Sequence, residues 1–337
     1  MTEVLFLDAL ATTATDGETL DGLGRLVARL LALRGLHGVE ELVLGRPAGA
    51  GPTGPQDPAR AMALAAGLPL HTGGFTVDRA GASGLQALAC GARAIASGDR
   101  DLVVVAATSL RASTTAPPCE AVAWRTSPVP DAEAVALLRQ RFDLSPEDEA
   151  RWAADSAARV EAHRALHEGV GLHLPARTGE DQAAVATTAP PISGAVAFAL
   201  GSTRAAERLG VEPRARLVAV VDAALDPGWR GMAAGEAARR ALERASLRPD
   251  EMDRVELDEA HAAWALASAH HAGLPLPRCR PAGGALGLGH LGPAEGLRLL
   301  LTLLGGLDEA DARYGLCARP GADGQALAVI VDRARFA

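Results

Sequence analysis

The sequence predicts a layered α/β protein in which helices cover both faces of a largely parallel sheet. Short apolar segments of strand length alternate with segments whose apolar residues recur at helical spacing. This alternation occurs in two blocks of similar length and element order, separated by a segment rich in proline, arginine and glutamate. The 337 residues are enough for two or three packed units, so the blocks have room for separate cores.

The first block begins with an apolar run over Val4–Leu7, which is long enough for a buried strand. Apolar residues of segment 20–31 then recur at helical spacing, and Gly35 is placed to end that helix. Pro58 stands near the start of the next predicted helix, where a missing N–H is tolerated. The other predicted elements are strands over residues 41–45, 71–77 and 101–107 and helices over residues 58–66 and 82–97.

Residues 117–191 interrupt the alternation. They contain one clear helix, with Ser145 as N-cap, Pro146 at the first helical position and Asp148 at the third. We expect this segment to be an excursion from the sheet and not a second core.

After Pro191 the alternation returns, and it ends in a strand over residues 326–331. Each block has a glycine-rich turn that opens a helix, at residues 81–84 in the first and 292–296 in the second. We therefore predict a pseudo-duplicated α/β protein with an inserted segment. The other predicted elements are strands over residues 192–200, 216–221 and 255–258 and helices over residues 202–209, 235–245, 261–271 and 296–304.

The composition excludes several classes of function. All 33 basic residues are arginine, and without lysine a Walker-type ATP site, pyridoxal chemistry and a Schiff-base aldolase are excluded. The net charge of −8 and the 3% of aromatic residues argue against a nucleic-acid partner. No apolar run has membrane-spanning length, and the acidic start lacks signal-peptide features, so we expect a cytoplasmic protein without a membrane partner. Cys90, Cys119, Cys279 and Cys317 have no zinc-like spacing, and no metal site is predicted.

Three glycine-rich turns are candidates for a functional site. In the first, over residues 77–86, a helix begins near Ala82 and offers free N–H groups to an anion or a nucleophile, unless the turn only packs Gly84 against the sheet. The second, over residues 280–292, holds His290 in a loop that a substrate can approach closely. The third, over residues 314–325, is expected to be a turn before the last strand.

Four blocks, in order along nearly the whole chain, resemble those of the thiolases, in the acetyl-CoA acetyltransferase branch of the thiolase-like superfamily. Residues 77–87 read VDRAGASGLQA where thiolases have V-N-R-x-C-x-S-G-L-Q-A, and residues 256–262 read ELDEAHA for E-L-N-E-A-F-A. Residues 283–291 read GGALGLGHL for G-G-A-x-x-x-G-H-P. Residues 314–326 read YGLCARPGADGQA for Y-G-L-x-x-x-C-x-G-G-G-Q/M-G.

The resemblance implies the thiolase fold, with two pseudo-duplicated βαβαβαββ halves in a five-layer αβαβα arrangement and a shortened loop domain. The implied N-terminal half covers residues 1–117, the loop domain inserted in it covers residues 118–191, and the C-terminal half covers residues 192–337. The resemblance also implies a coenzyme A thioester as substrate or ligand, no other cofactor, and a homodimer or a hetero-oligomer with a thiolase paralogue. Arginines of the loop domain either meet a phosphate of coenzyme A or form a solvated face: Arg139, Arg141, Arg151 and Arg159.

The departures from the family pattern fall on the residues that carry the chemistry. The position of the thiolase nucleophile, a cysteine, is Gly81, and the second catalytic cysteine falls on Pro320. The asparagine that holds a catalytic water is Asp258. Only the histidine of the G-H motif, His290, is kept; thiolases use it to polarise the thioester carbonyl and to activate the sulfur. Because glycine cannot be acylated, we expect the standard thiolase mechanism to be absent.

No other residue is predicted to replace the missing nucleophile. Cys90 lies nine residues beyond Gly81 on the same predicted helix, about 13 Å along its axis. Cys317 lies three residues before Pro320, about 10 Å away on an extended chain and on its opposite face. Both are expected to fill apolar space. Thiolases keep a serine beside their cysteine at the position of Ser83, so packing or capping is favoured for this residue.

We predict His290, Asp258 and His261 as the catalytic set, which Glu295 could join. His261 stands where thiolases have phenylalanine, and a solvated or hydrogen-bonded ring is the alternative to a catalytic role. The residues predicted to contact the ligand are Gly81, Ser83, Gly289 and Gly321.

These residues predict a thiolase-like protein that binds acyl-CoA or an acyl thioester without cysteine-based acyl transfer. Non-covalent acid–base chemistry at His290, either retro-aldol cleavage or decarboxylation, is compatible with the same set, with the helix N-terminus at Gly81 stabilising an enolate or thioester oxygen. Two alternatives stay open. One is a non-catalytic partner subunit of an active thiolase, and the other is a true acyltransferase with an unrecognised nucleophile.

Overall fold

The computed structural model describes residues 2–13, 20–33, 35–45, 57–109, 131–172 and 186–334. The sequence predictions for Cys119 and for residues 117–130 and 173–185 lie outside the described residues. Among the described helices, none is long and apolar enough to cross a bilayer.

The first half contains the predicted alternation of strands and helices. The described part of the inserted segment adds three helices. The strand over Leu102–Ser109 is buried along its whole length, because it consists only of apolar and small residues. The elements are β1 (Leu5–Thr13), α1 (Leu20–Leu33), β2 (Glu41–Gly45), α2 (Pro58–Ala65), β3 (Gly73–Val77), α3 (Ser83–Ser97), β4 (Leu102–Ser109), α4 (Asp131–Phe142), α5 (Pro146–Ala162) and α6 (Arg164–Gly169).

After the inserted segment, one strand and one short helix complete the first half, and the second half follows. The elements are β5 (Gly194–Gly201), α7 (Thr203–Leu209), β6 (Ala215–Ala224), α8 (Ala233–Ala245), β7 (Arg254–Leu257), α9 (Ala262–His271), α10 (Ala285–Leu288), α11 (Glu295–Glu309), β8 (Tyr314–Pro320) and β9 (Gln325–Asp332).

The described strands form one sheet in the order β3-β2-β4-β5-β1-β6-β9-β8-β7. The two halves meet at β1 and β6, which are joined by the pairs Leu5–Arg216 and Phe6–Ala215. The expectation of a largely parallel sheet is wrong. β2 runs parallel to β3 and β4, and β7 to β8, but β5 is antiparallel to β1 and β4, and β9 to β6 and β8. The long insertion before β5 and the short turn before β9 permit the antiparallel pairs.

Three apolar cores separate the layers. α1, α2 and α7 cover the outer face of the first half, and α8 and α9 cover that of the second. α3 and α11 lie between the two halves of the sheet, where Leu88, Phe198 and Leu299 belong to the central core. This succession of helix and strand layers confirms the predicted five-layer αβαβα arrangement.

The turn predicted over residues 314–325 is wrong for its first part. Tyr314–Pro320 form β8, which pairs with β7 on one side and β9 on the other. Gly315 and Pro320 disfavour a strand by composition, but Pro320 is the last residue of the strand, and burial between two neighbours outweighs local propensity. The turn itself is confined to residues 321–324.

The two halves are not equal in strand number. The first half has the complete βαβαβαββ order, from β1 to β5. In the described part of the second half the third strand is replaced by a single parallel bridge between Val255 and Cys279. The duplication is therefore present in the element order, with one strand reduced to a bridge.

The inserted segment packs on the second half of the molecule. The predicted start of α5 is confirmed, because Ser145 Oγ accepts a hydrogen bond from the Asp148 N–H (3.1 Å) and the Asp148 carboxylate accepts one from the Ser145 N–H (3.0 Å). Sequence patterning missed α4. Leu138 of α4 and Trp152 of α5 join the core formed with α8 and α9. The predicted domain boundaries stay a prediction.

Candidate functional site

The first glycine-rich turn places Gly81 at the start of α3. Ala80–Ala82 form a short 3₁₀ turn before the helix, and Gly81 is partly exposed. The Ser83 hydroxyl accepts a hydrogen bond from the Arg79 N–H (2.8 Å) and donates one to the Ala80 carbonyl (2.7 Å). Ser83 is fully buried, and these two hydrogen bonds close the turn, as the capping alternative expects. Its predicted contact with a ligand stays untested.

The side chain of Arg319 fills the space that Gly81 leaves open. Arg319 belongs to β8 and is only 4% exposed. A Cβ atom on Gly81 would stand 2.8 Å from Nη2 of Arg319 and 3.7 Å from the carbonyl oxygen of Pro320. Any side chain at position 81 would therefore displace the guanidinium. At the position that the resemblance assigns to the thiolase nucleophile, the nearest group is a cation.

The Arg319 guanidinium has three partners, all of them carbonyl or carboxylate oxygens, and one of its nitrogens has none. Nε lies 3.1 Å from a carboxylate oxygen of Asp258 and 3.1 Å from the carbonyl oxygen of Pro320. Nη1 donates to the carbonyl oxygen of Gly292. Nη2, which faces Gly81, donates to no acceptor among the residues that the structure describes.

Asp258 links Arg319 to His290. It follows β7 directly, and one of its carboxylate oxygens accepts a hydrogen bond from the Ala260 N–H (2.7 Å). Burial alone would raise the pKa of the Asp258 carboxyl, but His290 and Arg319 outweigh burial and hold this pKa well below its usual range. Asp258 is therefore an ionised acceptor for both neighbours at neutral pH.

Both ring nitrogens of His290 have protein partners. Nε2 lies 3.2 and 3.3 Å from the two carboxylate oxygens of Asp258. Nδ1 accepts a hydrogen bond from the Gly292 N–H (3.1 Å). In this network Nε2 donates to the Asp258 carboxylate and Nδ1 accepts from the backbone. The structure thus brings together His290 and Asp258, as predicted, and holds the imidazole in place without a free nitrogen.

His261 caps α9. Its Nδ1 accepts a hydrogen bond from the Ala263 N–H (3.2 Å), and its ring stacks on Trp264 with 6.4 Å between ring centroids. β-bridges join His261 to Thr188 and His290 to Pro191, so one short stretch of chain borders both histidines. The cap fits the hydrogen-bonded alternative for this ring, and its predicted catalytic role stays untested.

Gly289 and Gly321 are required by close packing. Gly289 has a φ of +89°, and a Cβ on it would stand 2.4 Å from Cγ2 of Ile192. The Gly321 N–H donates to the carbonyl oxygen of Gln325 (2.7 Å), and a Cβ on Gly321 would stand 3.2 Å from that of Ala82. Gly321 thus packs against the same turn that holds Gly81. Ligand contact by either glycine stays a prediction.

The three cysteines within the described ranges are free thiols. Burial raises the pKa of the Cys279 thiol to about 12 and the pKa of the Cys317 thiol well above its usual range. Cys317 is fully buried in β8, and Cys90 lies in the third turn of α3, where Gln86 contacts its sulfur (3.4 Å). Cys317 fills apolar space as predicted, whereas Cys90 is only partly buried.

One buried ion pair in α11 lies next to the loop that holds His290. Arg298 binds Glu295 within α11, and both side chains are almost completely buried. The Glu295 carboxylate also accepts a hydrogen bond from the Leu291 N–H (2.9 Å). Burial would raise the pKa of Glu295, but Arg298 and His290 outweigh it and lower this pKa. Glu295 therefore fixes the backbone next to His290 from inside the protein.

Glu256 is different, because neither of its carboxylate oxygens has a hydrogen-bond partner within the described ranges. It lies in β7, opposite Cys317 of β8. Burial raises the pKa of the Glu256 carboxyl to about 8. Glu256 is consequently a mostly protonated carboxyl at neutral pH.

A cavity of about 510 Å³ lies between α5 and α9, away from the turn at Gly81. Trp152, His270 and Arg280 contribute to its wall, together with Arg151 and Arg159 of the loop domain. The predicted catalytic residues and the predicted glycine contacts do not line it. Arg159 is held by the carbonyl oxygen of Cys279 (3.2 Å). The mixed charge of this wall gives no preference for one class of ligand.

Two of the other loop-domain arginines are bound to carboxylates of their own segment. Arg139 forms an ion pair with Glu149 (2.6 Å), and Arg151 lies 3.4 Å from Asp148. These contacts fit the alternative of a charged helix face, and contact with a phosphate of coenzyme A stays untested.

Sequence reasoning missed Arg319, the residue closest to the open space at Gly81. The signal was present as a single arginine between Ala318 and Pro320, within the block that resembles the second thiolase cysteine motif. Treating that block as a turn hid the fact that the arginine lies in a buried strand. A buried arginine at the end of a strand requires a partner, and that requirement points to Asp258.

Two family profiles match this chain. Residues 35–121 match the N-terminal domain of thiolase, and residues 211–333 match the C-terminal domain of thiolase. The chain is similar to a beta-ketoadipyl-CoA thiolase of Escherichia coli, with 30% identity over 99% of this chain and 100% of the relative. It is also 30% identical to an acetyl-CoA acetyltransferase of Pseudomonas aeruginosa, over 91% of this chain and 92% of the relative.

Two solved structures have the same fold. The acetyl-CoA acetyltransferase from Syntrophomonas wolfei superposes with a TM-score of 0.86 at 18% identity and covers 99% of both chains. Human mitochondrial 3-ketoacyl-CoA thiolase superposes with a TM-score of 0.85 at 23% identity, again over 99% of both chains. The four sequence blocks, the five-layer fold and the full-length similarity agree, and the chain belongs to the thiolase family.

Proposed function

We propose that this chain is a thiolase-family protein that binds acyl-CoA or an acyl thioester and does not transfer the acyl group through a cysteine. One observation carries the proposal: position 81 has no side chain, and the guanidinium of Arg319 fills the space instead. Its Nη2 lies 2.8 Å from where a Cβ on Gly81 would stand. A covalent intermediate needs a nucleophile beside the thioester carbonyl. Glycine supplies none, and a guanidinium is not a nucleophile at neutral pH.

Neither the Ser83 hydroxyl nor the thiols within the described ranges offer a substitute. The thiols of Cys279 and Cys317 are buried and protonated at neutral pH. Cys90 lies about 13 Å from Gly81 along α3, and the Ser83 hydroxyl is engaged in the turn. An acyltransferase with an unrecognised nucleophile is therefore the less favoured alternative. Retro-aldol or decarboxylation chemistry at His290 is also less favoured, because both ring nitrogens already have partners.

Acyl-CoA binding is supported by the family. The named relatives are enzymes of CoA thioesters, and their similarity extends over almost the whole chain. The free thiols are those expected in a reducing compartment such as the cytoplasm.

The second candidate is a non-catalytic partner subunit of an active thiolase, alongside a homodimer of this chain. Within the described residues, the edge strand β3 pairs only with β2, and its Phe75 is 38% exposed. An edge strand with an exposed aromatic residue is a surface that another chain can extend. Sedimentation velocity at micromolar concentration, with identification of co-purified proteins by mass spectrometry, tests this candidate, and a monomer without a partner would exclude it.

The experiment for the main proposal combines binding with chemistry. Calorimetric titration with acetyl-CoA should show saturable binding, and failure to bind any acyl-CoA would overturn the proposal. Incubation with acetoacetyl-CoA and CoA should yield no acetyl-CoA, with an active thiolase as positive control. Intact-mass spectrometry after incubation with acetyl-CoA should show no added acetyl group. CoA-dependent turnover that survives in His290→Ala, or an acetylated side chain, would contradict the proposal.

A further inference from the structure

We infer that Arg319 is the residue that contacts the ligand at position 81, and that it selects an acyl thioester whose acyl group carries a carboxylate close to the thioester carbonyl. The inference rests on the proposed function, because it names the substrate class of the same site. The proposed partner of Nη2 is a carboxylate group of the ligand.

The Arg319 guanidinium has one unused donor. Nε and Nη1 of Arg319 are bound to Asp258, Pro320 and Gly292, but Nη2 has no acceptor within the described part of the chain. The side chain as a whole is 5% exposed, but Nη2 itself keeps contact with solvent. Nη2 takes up the space that a side chain at position 81 would fill, and Gly81 is itself partly exposed. The missing acceptor can therefore be supplied from outside.

The charges around Nη2 favour an anion as its partner. The Asp258 carboxylate that faces Arg319 is shared with His290, so Arg319 has no carboxylate of its own. The 15-residue helix α3 begins at this point without a side-chain cap on its N-cap residue Ala82 and without an acidic residue in its first turn. The positive end of the helix and the guanidinium act on the same space. Together they favour an anion over a neutral group.

The place of Nη2 beside position 81 fixes where the ligand would carry its anion. If the ligand binds as the resemblance implies, the thioester carbonyl lies beside position 81, where thiolases have their attacking sulfur. A carboxylate one methylene beyond that carbonyl would then lie within reach of Nη2. A carboxylate makes a charge-assisted hydrogen bond with a guanidinium, which is stronger than the bond of a neutral carbonyl.

The test compares two ligands of nearly equal shape. Malonyl-CoA carries a carboxylate where acetoacetyl-CoA carries a methyl ketone. Calorimetric titration should give a dissociation constant for malonyl-CoA that is lower by a factor of about ten or more. Free malonate is titrated as well, to separate the thioester from a free dicarboxylate.

Two variants and one control assign the preference to Arg319. Arg319→Met keeps an unbranched, flexible side chain but removes the guanidinium and its charge, and it should bring the two affinities within about twofold of each other. Gly81→Ala keeps the charge but displaces Nη2, and it should reduce the preference too. Arg93→Met changes an exposed arginine of α3 and should keep the full preference. Circular dichroism verifies that each variant is folded, and Gly81→Ala decides if Arg319→Met does not fold.

The outcomes separate this inference from the proposed function. Equal affinity of the wild type for both thioesters, or a preference that survives in folded Arg319→Met, overturns the inference and leaves acyl-CoA binding intact. Free malonate binding as tightly as malonyl-CoA overturns the assignment to a thioester. Binding of neither thioester overturns the proposed function together with the inference.

Discussion

Arg319 and Gly81 are complementary, because Nη2 of the arginine lies 2.8 Å from the position that a Cβ on the glycine would take. The two residues are far apart in sequence, and they meet because β8 ends beside the turn that opens α3. A side chain at position 81 and the present conformation of Arg319 exclude each other. A side chain at position 81 therefore requires Arg319 to move.

The first prediction tests this coupling by a double-mutant cycle. Gly81→Ala should lower the free energy of unfolding by about 1–3 kcal/mol, because the added methyl group forces Arg319 aside. In the background of Arg319→Met the same change should cost less by at least about 0.5 kcal/mol. Urea unfolding of the four proteins gives the coupling energy. Additive effects of the two changes would show that Arg319 does not fill this space.

The second prediction concerns the counter-charge of Arg319. Asp258→Asn should destabilise the protein by about 3–5 kcal/mol, because it leaves a buried guanidinium without a carboxylate. The measurement is thermal or urea unfolding. The matched control is Asp222→Asn, since Asp222 pairs with Arg79 at a half-exposed position and its loss should cost less than about 1 kcal/mol. Equal effects of the two changes would contradict a special role for the Asp258 pair.

The order of most strands and helices could be predicted from the sequence, because each of these elements depends on the spacing of apolar and capping residues within it. Ser145 and Asp148 are close in sequence, and the cap they form was readable from that spacing. β8 was missed, because a short segment with Gly315 and Pro320 becomes a strand only through its two neighbours. The antiparallel pairing of β5 was also missed, because the direction of a strand pair depends on which strands meet across the insertion.

The site was predictable in its members but not in its contacts. The motifs identified Gly81, Asp258 and His290 as the positions of interest, and the structure brings all of them to one place. Arg319 was overlooked, because a charge in a strand is meaningful only when the residue that faces it is known. Whether a histidine has a free nitrogen is likewise a matter of rotamer and neighbours, which no spacing encodes.

The third prediction concerns thiol reactivity. Cys279 and Cys317 should stay unmodified by a charged thiol reagent in the native protein, because they are buried and their thiol pKa values are raised. Both should react fully in denaturant. Peptide mapping by mass spectrometry identifies each site, with the partly exposed Cys90 as internal comparison. Rapid native modification of Cys317 would contradict its position in the central core.

The last prediction is a pH dependence of stability that originates in Glu256. Its pKa is raised from 4.5 to about 8 in the folded protein, so between these values the folded state holds a proton that the unfolded chain has lost. The contribution of this group to stability is therefore complete below pH 4.5 and declines as the pH rises to about 8. The expected slope is about 1.4 kcal/mol per pH unit.

Glu256→Gln isolates this contribution, because the amide keeps the shape of the protonated carboxyl and cannot ionise. Urea unfolding between pH 5 and 8 should show a smaller loss of stability for the variant than for the wild type, with the difference largest at the alkaline end. Glu243→Gln, at an exposed position of α8, serves as the control and should follow the wild type. Parallel curves for wild type and Glu256→Gln would mean that the carboxyl is ionised in the folded protein. It would then need a cationic partner, for which Arg254 and Arg298 are the nearest candidates.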